Sequence, residues 1–390
     1  MSDHALLSPS SAYRWLNCPL APRLEEKLPE KPSEFAKEGS LAHKVCEYAA
    51  KKRFKKIKAA DYTRAIKKLK TDPLWDDEML HTAEIYVEHL AERAMGFEHE
   101  PYLAFEVKVD ISDYVPESFG RCDCVMFGGG TLIITDYKHG KGISVNAAEN
   151  PQLMLYALGA LKLYRTLFGN TIQNIEVCID QPRLNSYATW SCKTGELLDW
   201  GAGIKPRAQQ AFMGVGEYLA GDWCRFCRAN GICKAQAKQQ TSAFDDFAGA
   251  VGQPAALLSP TEMGAVLEKG KTLVEWYEAV KKCALDTILS GTEVPGWKAV
   301  EGRNLWTWTD QDKALETLEA SGIERAVLYD NVPKSLAQLK KMLGTAKFNE
   351  LVGGFAIKPP GKPALADAAD KRKEYNSAAT DFASVVAENS

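Results

Sequence analysis

No uninterrupted apolar run in this sequence approaches the roughly 20 residues needed to span a bilayer. The first residues also lack the apolar core of a signal peptide, so the chain reads as intracellular, with no membrane partner. A strong excess of either charge is missing too: 48 Lys and Arg stand against 51 Asp and Glu, for a net charge of −3. That balance argues against wholesale electrostatic coating of nucleic acid and leaves room only for local binding. There is no internal repeat. Ten cysteines are present, and in a reducing compartment they read as free thiols or metal ligands rather than disulfides. At 390 residues, with 45% hydrophobic and 25% charged residues, the chain is long enough for two or three domains of ordinary soluble composition.

What the sequence does contain is organised around Gly120-Arg121-Cys122-Asp123 and Thr135-Asp136-Tyr137-Lys138. Both stretches are strand-like, and Gly128-Gly129-Gly130 between them is a turn signal that makes them a hairpin. Side chains two apart on a strand share a face, so Asp136 and Lys138 point into one space while Tyr137 turns away. Asp123 reaches that space from the neighbouring strand. Two acids and a lysine converging on a sheet suit a hard divalent cation and a charged phosphoryl group.

Ser8-Pro9-Ser10-Ser11 reads as a helix start, with a short helix through Tyr13, Trp15 and Leu16 that stops near Asn17-Cys18-Pro19. A helical pattern then runs from Glu34 to about Arg53, with Gly39, His43 and Glu47 near one stripe. Taken alone, that stripe is what a surface histidine beside an acid produces. Lys51 to Lys70 holds ten Lys or Arg against one acid, Asp61, with Phe54, Ile57, Tyr62, Ile66 and Leu69 on an apolar side. A solvated amphipathic helix pair and a phosphate-tracking surface both account for it. A helix is expected over Met79 to Met95 and a half-buried strand over Tyr102 to Ile111. In that strand Phe105, Val107 and Val109 alternate with Glu106, Lys108 and Asp110. Asn150-Pro151 opens an apolar helix to about Leu167 on which Gln152 and Tyr156 face the same neighbour. Strands are expected over 171–179 and 187–191, then a helix from Glu196 to Leu219. The order implies an α/β fold, a mixed sheet flanked by helices.

Cys224, Cys227 and Cys233 form C-x2-C-x5-C, a spacing that lets three thiolates converge on one metal centre. The chain from Lys234 to Lys282 holds neither Cys nor His, so a fourth ligand must come from farther away. Cys18 is the leading candidate, with Cys122 and Cys124 as alternatives. Beyond about Thr241 the character changes. A linker is expected over 241–258 and a smaller α+β accessory domain over 259–357. The latter opens with a capping-box helix from Ser259-Pro260-Thr261-Glu262 to about Ser290. A hairpin over Trp297 to Trp308 and helices near 312–321 and 335–343 come next, then a flexible tail over 358–390.

Taken in order, His43, Asp123, Asp136-x-Lys138, Gln152-x3-Tyr156 and the cysteines resemble the RecB-like branch of the PD-(D/E)XK nuclease superfamily. The nearer likeness is to members with a four-cysteine iron–sulfur cluster, such as the AddB nuclease domain and the CRISPR-associated iron–sulfur exonucleases. There, too, one cysteine precedes the nuclease core and three come after it. Leu7 to Pro19 also resembles a family of bacteriophage and prophage proteins assigned to that superfamily. The nuclease likeness covers about Ser8 to Gln240 and implies a restriction-endonuclease-like domain over 1–240. It departs from the pattern at Cys122, where proline is usual, and at Asp136, where glutamate is usual.

The resemblance implies that Asp123, Asp136 and His43 hold Mg²⁺ or Mn²⁺. Lys138 would orient water or neutralise charge, and Gln152 and Tyr156 would frame the site against the DNA backbone. Cys18, Cys224, Cys227 and Cys233 would hold a 4Fe–4S cluster that staples the two ends of the domain. Glu106 is a weaker site candidate. The expected activity is a metal-dependent deoxyribonuclease, an exonuclease by preference. It would act on single-stranded DNA or duplex ends in phage recombination, replication or repair, in the cytoplasm of a bacterial host. Phage single-strand-binding or recombination proteins would be its partners. A catalytically weak DNA-binding or scaffolding module and a zinc-stabilised adaptor are the competing readings.

Overall fold

The computed structural model describes residues 5–29, 33–142, 144–168, 171–242, 260–299 and 346. The chain divides into two compact units, 1–300 and 301–390, and the sheet with its surrounding helices belongs to the first. Trp297 is exposed and lies outside any strand. The remainder of the hairpin expected through Trp308, the two later helices and the tail fall outside the described residues, as does most of the expected linker.

A 3-10 turn over Pro9–Ser11 leads into α1 (Ala12–Asn17) and α2 (Ala21–Glu25). Ser8 precedes this turn without providing a side-chain cap, since its hydroxyl meets those of Ser10 and Ser11 instead. Then come α3 (Glu34–Arg53), α4 (Ala59–Leu69) and α5 (Glu78–Met95). Ser33 caps α3 by accepting the Ala36 N–H at 3.2 Å, which fixes its start one residue after the cap.

Strands β1 (Tyr102–Asp110), β2 (Phe119–Gly128) and β3 (Thr131–Tyr137) form an antiparallel meander. Gly129 and Gly130 make the two-residue turn between β2 and β3 with φ of +52° and +74°, the left-handed pair that such a hairpin needs. α6 (Pro151–Phe168) carries the chain over to β4 (Asn174–Gln181), which lies parallel to β3, and β5 (Ser186–Lys193) closes the far edge. The five-stranded mixed sheet has the order β1-β2-β3-β4-β5. α7 (Thr194–Met213), α8 (Lys234–Ser242) and α9 (Pro260–Leu289) complete the described helices. The helix expected from Glu196 to Leu219 stops early, at Met213. Gly214 takes φ of +66° just past that residue, a left-handed C-cap that ends a helix although Tyr218 and Leu219 keep the apolar pattern going.

The sheet separates two cores. On one face α6 and α7 bury Leu153, Leu155 and Leu197 against Val109, Cys122, Ile134 and Val177. On the other, α3, α4 and α5 bury Val45, Ile66 and Leu90 against Phe105, Cys124, Ile133 and Tyr137. The expectation for β1 therefore needs correcting. Phe105 and Val109 do not share a face: Phe105 belongs to the α3–α5 core, while Val107 and Val109 belong to the α6–α7 core. The alternation inverts at Glu106, whose φ is +54°. Its cross-strand neighbourhood inverts with it, because Cys122 and Cys124 also face opposite cores. A strand in ordinary β geometry would keep both on one side.

Candidate active site

The inversion places two carboxylates where the two helical layers meet the sheet. Glu106 on β1 and Asp123 on β2 project beside His43, which α3 supplies from the α3–α5 layer. Among the described residues, the grouping of three ligand-type side chains whose atoms all lie within 4.8 Å of one another is His43, Glu106 and Asp123. His43 Nδ1 is 3.3 Å from Asp123 Oδ1, and Asp123 Oδ2 accepts the Tyr137 backbone N–H at 2.8 Å. Glu47, one turn after His43, joins them around one small cavity.

Asp136 and Lys138 share a face of β3 as the strand period requires, and their Oδ2 and Nζ atoms are 2.9 Å apart. Tyr137 points the other way, with its hydroxyl 2.9 Å from Thr82 Oγ1 and 2.8 Å from His139 Nδ1. From α6, Gln152 Nε2 donates to Asp136 Oδ1 at 3.1 Å and lies 3.3 Å from the Tyr156 hydroxyl. Lys138 Nζ also reaches Gln152 Oε1 at 3.3 Å. Asn150 starts α6 by accepting the N–H groups of Gln152 and Leu153, which fixes the helix turn that carries Gln152. Gly120 lets Tyr156 come this close: a Cβ there would lie 2.6 Å from Tyr156 Cε1 and 2.9 Å from Pro9 Cγ.

The electrostatics separate the carboxylates. Burial pushes the Asp123 carboxyl up, but His43 and the Tyr137 N–H more than reverse this and hold it below the usual carboxylate range. Asp136 goes the other way: burial, with Asp123 nearby, raises it despite Lys138. Glu106 is raised to about 7, by burial first and then by Asp123 and Glu47. For His43 the cost of burial is outweighed by Asp123, and the net shift is upward. Lys138 is likewise raised, because Asp136 outweighs its desolvation. Asp136 Oδ2 is buried and, although Lys138 lies close, has no aligned hydrogen bond. Three clustered carboxylates, two of them with a raised proton affinity, and a spare buried oxygen form a donor set suited to a hard divalent cation.

The residues expected together at this place, His43, Asp123, Asp136, Lys138, Gln152 and Tyr156, thus converge. Glu106 belongs with them more closely than its sequence context suggests. The available signal is its place on the strand preceding Asp123; its left-handed backbone is not readable from the residues.

Away from the carboxylate residues in the chain, Cys18, Cys224, Cys227 and Cys233 line one small cavity with Arg14, Asn230 and Trp223. Cys122 and Cys124 are fully buried in the two sheet cores and do not line that cavity, whereas Cys18 does. A polar clasp holds the two segments together. Arg14 Nε pairs with Glu25 Oε2 at 2.9 Å, Arg14 Nη1 donates to the Phe226 carbonyl, and Glu25 Oε1 accepts the Arg228 N–H at 2.8 Å. Arg207 on α7 donates to the carbonyls of Leu16 and Asn17. No three of the four sulfurs lie within 4.8 Å of one another.

A family model described as "Protein of unknown function (DUF2800)" matches residues 4–373. The chain belongs to that family. Among solved structures, the DUF2800 chain is similar to one titled "Crystal structure of SSO0001", at 15% identity over 58% of this chain and 96% of that one, with a TM-score of 0.23. A likeness that loose has no bearing on the site. No described helix of the DUF2800 chain is long and apolar enough to cross a membrane.

Proposed function

We propose that the protein is a divalent-metal-dependent deoxyribonuclease. The observation that carries this reading is the convergence of His43, Glu106 and Asp123 beside the Asp136–Lys138 pair. His43, Asp123 and Asp136 would hold Mg²⁺ or Mn²⁺, with Glu106 as a further carboxylate. When bound, such ions supply Lewis-acid stabilisation of a phosphoryl oxygen and a lowered pKa for water. Asp136 holds Lys138 in its charged form, so the ammonium is placed to stabilise negative charge that develops on a phosphate beside it. Gln152 links Lys138, Asp136 and Tyr156 and so fixes the lysine against the α6 wall. Tyr156, with its proton held well above the usual tyrosine range chiefly by burial, stays a neutral donor toward a phosphate oxygen.

The iron–sulfur staple belongs to the same reading. What supports it is that the four thiols share one cavity. Four cysteines are also the usual ligand set of a 4Fe–4S cluster. The nuclease likeness of residues 8–240 extends the proposal to exonucleolytic work in phage recombination, replication or repair.

The test is degradation of end-labelled single- and double-stranded DNA by anaerobically purified protein with Mg²⁺, with Mn²⁺ and with EDTA. Metal-independent cleavage, or none under any condition, would sink the proposal.

A further inference from the structure

The cations of 51–70 take no part in the carboxylate centre. α3 passes His43 and Glu47 beside that centre and ends at Arg53, where a turn leads into α4. The apolar side of this pair is turned inward: Ile66 is buried, and Phe54, Tyr62 and Leu69 pack on the α3–α5 core. Some of the charge is neutralised locally as well. Lys51 pairs with Glu47, Arg64 with Asp61 and Lys70 with Asp77, while Lys52 sits over the Tyr62 ring. Lys55, Lys56, Lys58, Lys67 and Lys68 are all exposed, and none has an ion-pair partner among the described residues.

These lysines stand on formed structure rather than a loose loop. Lys55 takes φ of +56°, and the turn is closed by Lys55 N–H to the Lys52 carbonyl at 3.1 Å and Lys56 N–H to the Lys51 carbonyl at 2.7 Å. A left-handed conformation is unfavourable for a lysine, so the turn is held by these hydrogen bonds and its packing. Beside it opens a cleft walled by Arg53, Phe54, Lys55 and Lys56 on one side. Glu98, His99 and Glu100 also line it, and the two carboxylates favour the lysines as the place for a polyanion.

We propose that the exposed face from Lys55 to Lys68 is a tract for the phosphate backbone of a nucleic-acid strand that also enters the metal centre. Charge complementarity selects the occupant. Five unpaired cations between Lys55 and Lys68, in a chain of net charge −3, form a local polyanion site rather than a generally basic surface. The stretch of helix from His43 to Arg53 sets the tract about 15 Å from the centre, the axial rise of about four to five duplex steps at about 3.4 Å each. The occupant being the substrate strand rests on the nuclease reading; the binding itself does not.

The experiment compares wild type with a fivefold variant, Lys55→Gln, Lys56→Gln, Lys58→Gln, Lys67→Gln and Lys68→Gln, and with the matching fivefold Lys→Arg protein. Binding of a labelled single strand of about 20 nucleotides, longer than a typical single-strand site, is measured in EDTA across a salt series. The glutamine variant is expected to bind at least about tenfold more weakly at low salt. Its log K against log salt slope should be shallower by about 3 to 4, since each single-strand phosphate contact contributes about 0.7. The arginine variant should keep the wild-type slope. With Mn²⁺, hydrolysis of bis(p-nitrophenyl) phosphate, too small to reach the tract, should be unchanged, while KM for the long strand rises.

Unaltered strand affinity and slope in the glutamine variant, with its thermal melt intact, would overturn the tract. So would binding lost to phosphatidylserine vesicles but not to strands. If no protein hydrolyses either substrate yet the binding loss appears, the nuclease reading fails and the tract stands.

Discussion

Glu106 lies across β1 and β2 from Asp123, between the paired residues Phe105–Cys124 and Val107–Cys122, with its backbone held at φ of +54°. At this point both strands exchange the core they face. A left-handed glutamate costs of order 1–3 kcal/mol, and a pair of neighbouring carboxylates costs more in a metal-free protein. Both are offset if the strand distortion serves to aim the acids at a shared cation.

Glu106→Gln tests that relationship through stability as well as affinity. The folded carboxyl holds its proton up to about pH 7, against an ordinary value of 4.5. The folded state therefore binds the proton more tightly than the unfolded state, and metal-free stability falls as pH rises between those two values. In EDTA, the wild-type melting temperature should decline over that range more steeply than that of Glu106→Gln. Above pH 7 the variant should be the more stable, by on the order of 1–3 kcal/mol. Calorimetric titration with Mn²⁺ should show the reverse ranking, with affinity lowered at least about tenfold. A variant less stable than wild type at pH 8 would show that Glu106 is a structural acid.

Asp136→Ala and Lys138→Ala address the charge that the centre brings to a phosphate. Each should reduce DNA cleavage by about a hundredfold to a thousandfold. The losses should not add in the double variant, because the two side chains form one pair at 2.9 Å. Removing Asp136 also strands Lys138 beside buried surface, so thermal melts must accompany the rates. Cleavage by either single variant at the wild-type rate would remove the pair from the chemistry.

Much of this centre is legible in the sequence because it obeys the two simple periods. Asp136 and Lys138 share a strand face and Gln152 and Tyr156 share a helix face, and both pairs meet as expected. The bounds of α3 come from the Ser33 cap and the change of pattern after Arg53. Glu106 is harder to read because its role depends on a left-handed backbone, and nothing in a glutamate between two hydrophobic residues announces one. The end of α7 is obscured for the opposite reason: Tyr218 and Leu219 prolong an apolar rhythm after Gly214 has already terminated the helix. The nearness of Cys18 to the Cys224–Cys233 loop is a tertiary fact. In the sequence, the shortage of nearer ligands and the family resemblance point to it.

Gly120→Ala tests the approach of α6 to the hairpin. The added methyl would lie 2.6 Å from the Tyr156 ring and 2.9 Å from Pro9, so the ring or the N-terminal turn must move. Destabilisation of about 1–3 kcal/mol is expected from such overpacking, read as a lower melting temperature. Combined with Tyr156→Ala, which is itself destabilising because it empties a buried site, the loss should be clearly less than additive, because the closest clash is gone. A double variant as unstable as the sum of the two singles would place the strain at Pro9 instead.

Cys18 shares its cavity with Cys224, Cys227 and Cys233, while Cys122 and Cys124 are enclosed in separate cores. Anaerobically purified wild-type protein should carry iron and acid-labile sulfide and absorb in the visible range. Cys18→Ser should lose most of that iron, whereas Cys122→Ser should keep it. The Arg14–Glu25 clasp bridges the same two segments without any cluster, so Cys18→Ser should remain folded while melting at a lower temperature. Glu25→Gln then separates the two fasteners. It leaves all four thiols in place but weakens the contacts to Arg14 and the Arg228 N–H, which should speed proteolysis in the 225–228 loop with little change in iron content. Zinc in place of iron in the anaerobic wild-type protein would overturn the cluster.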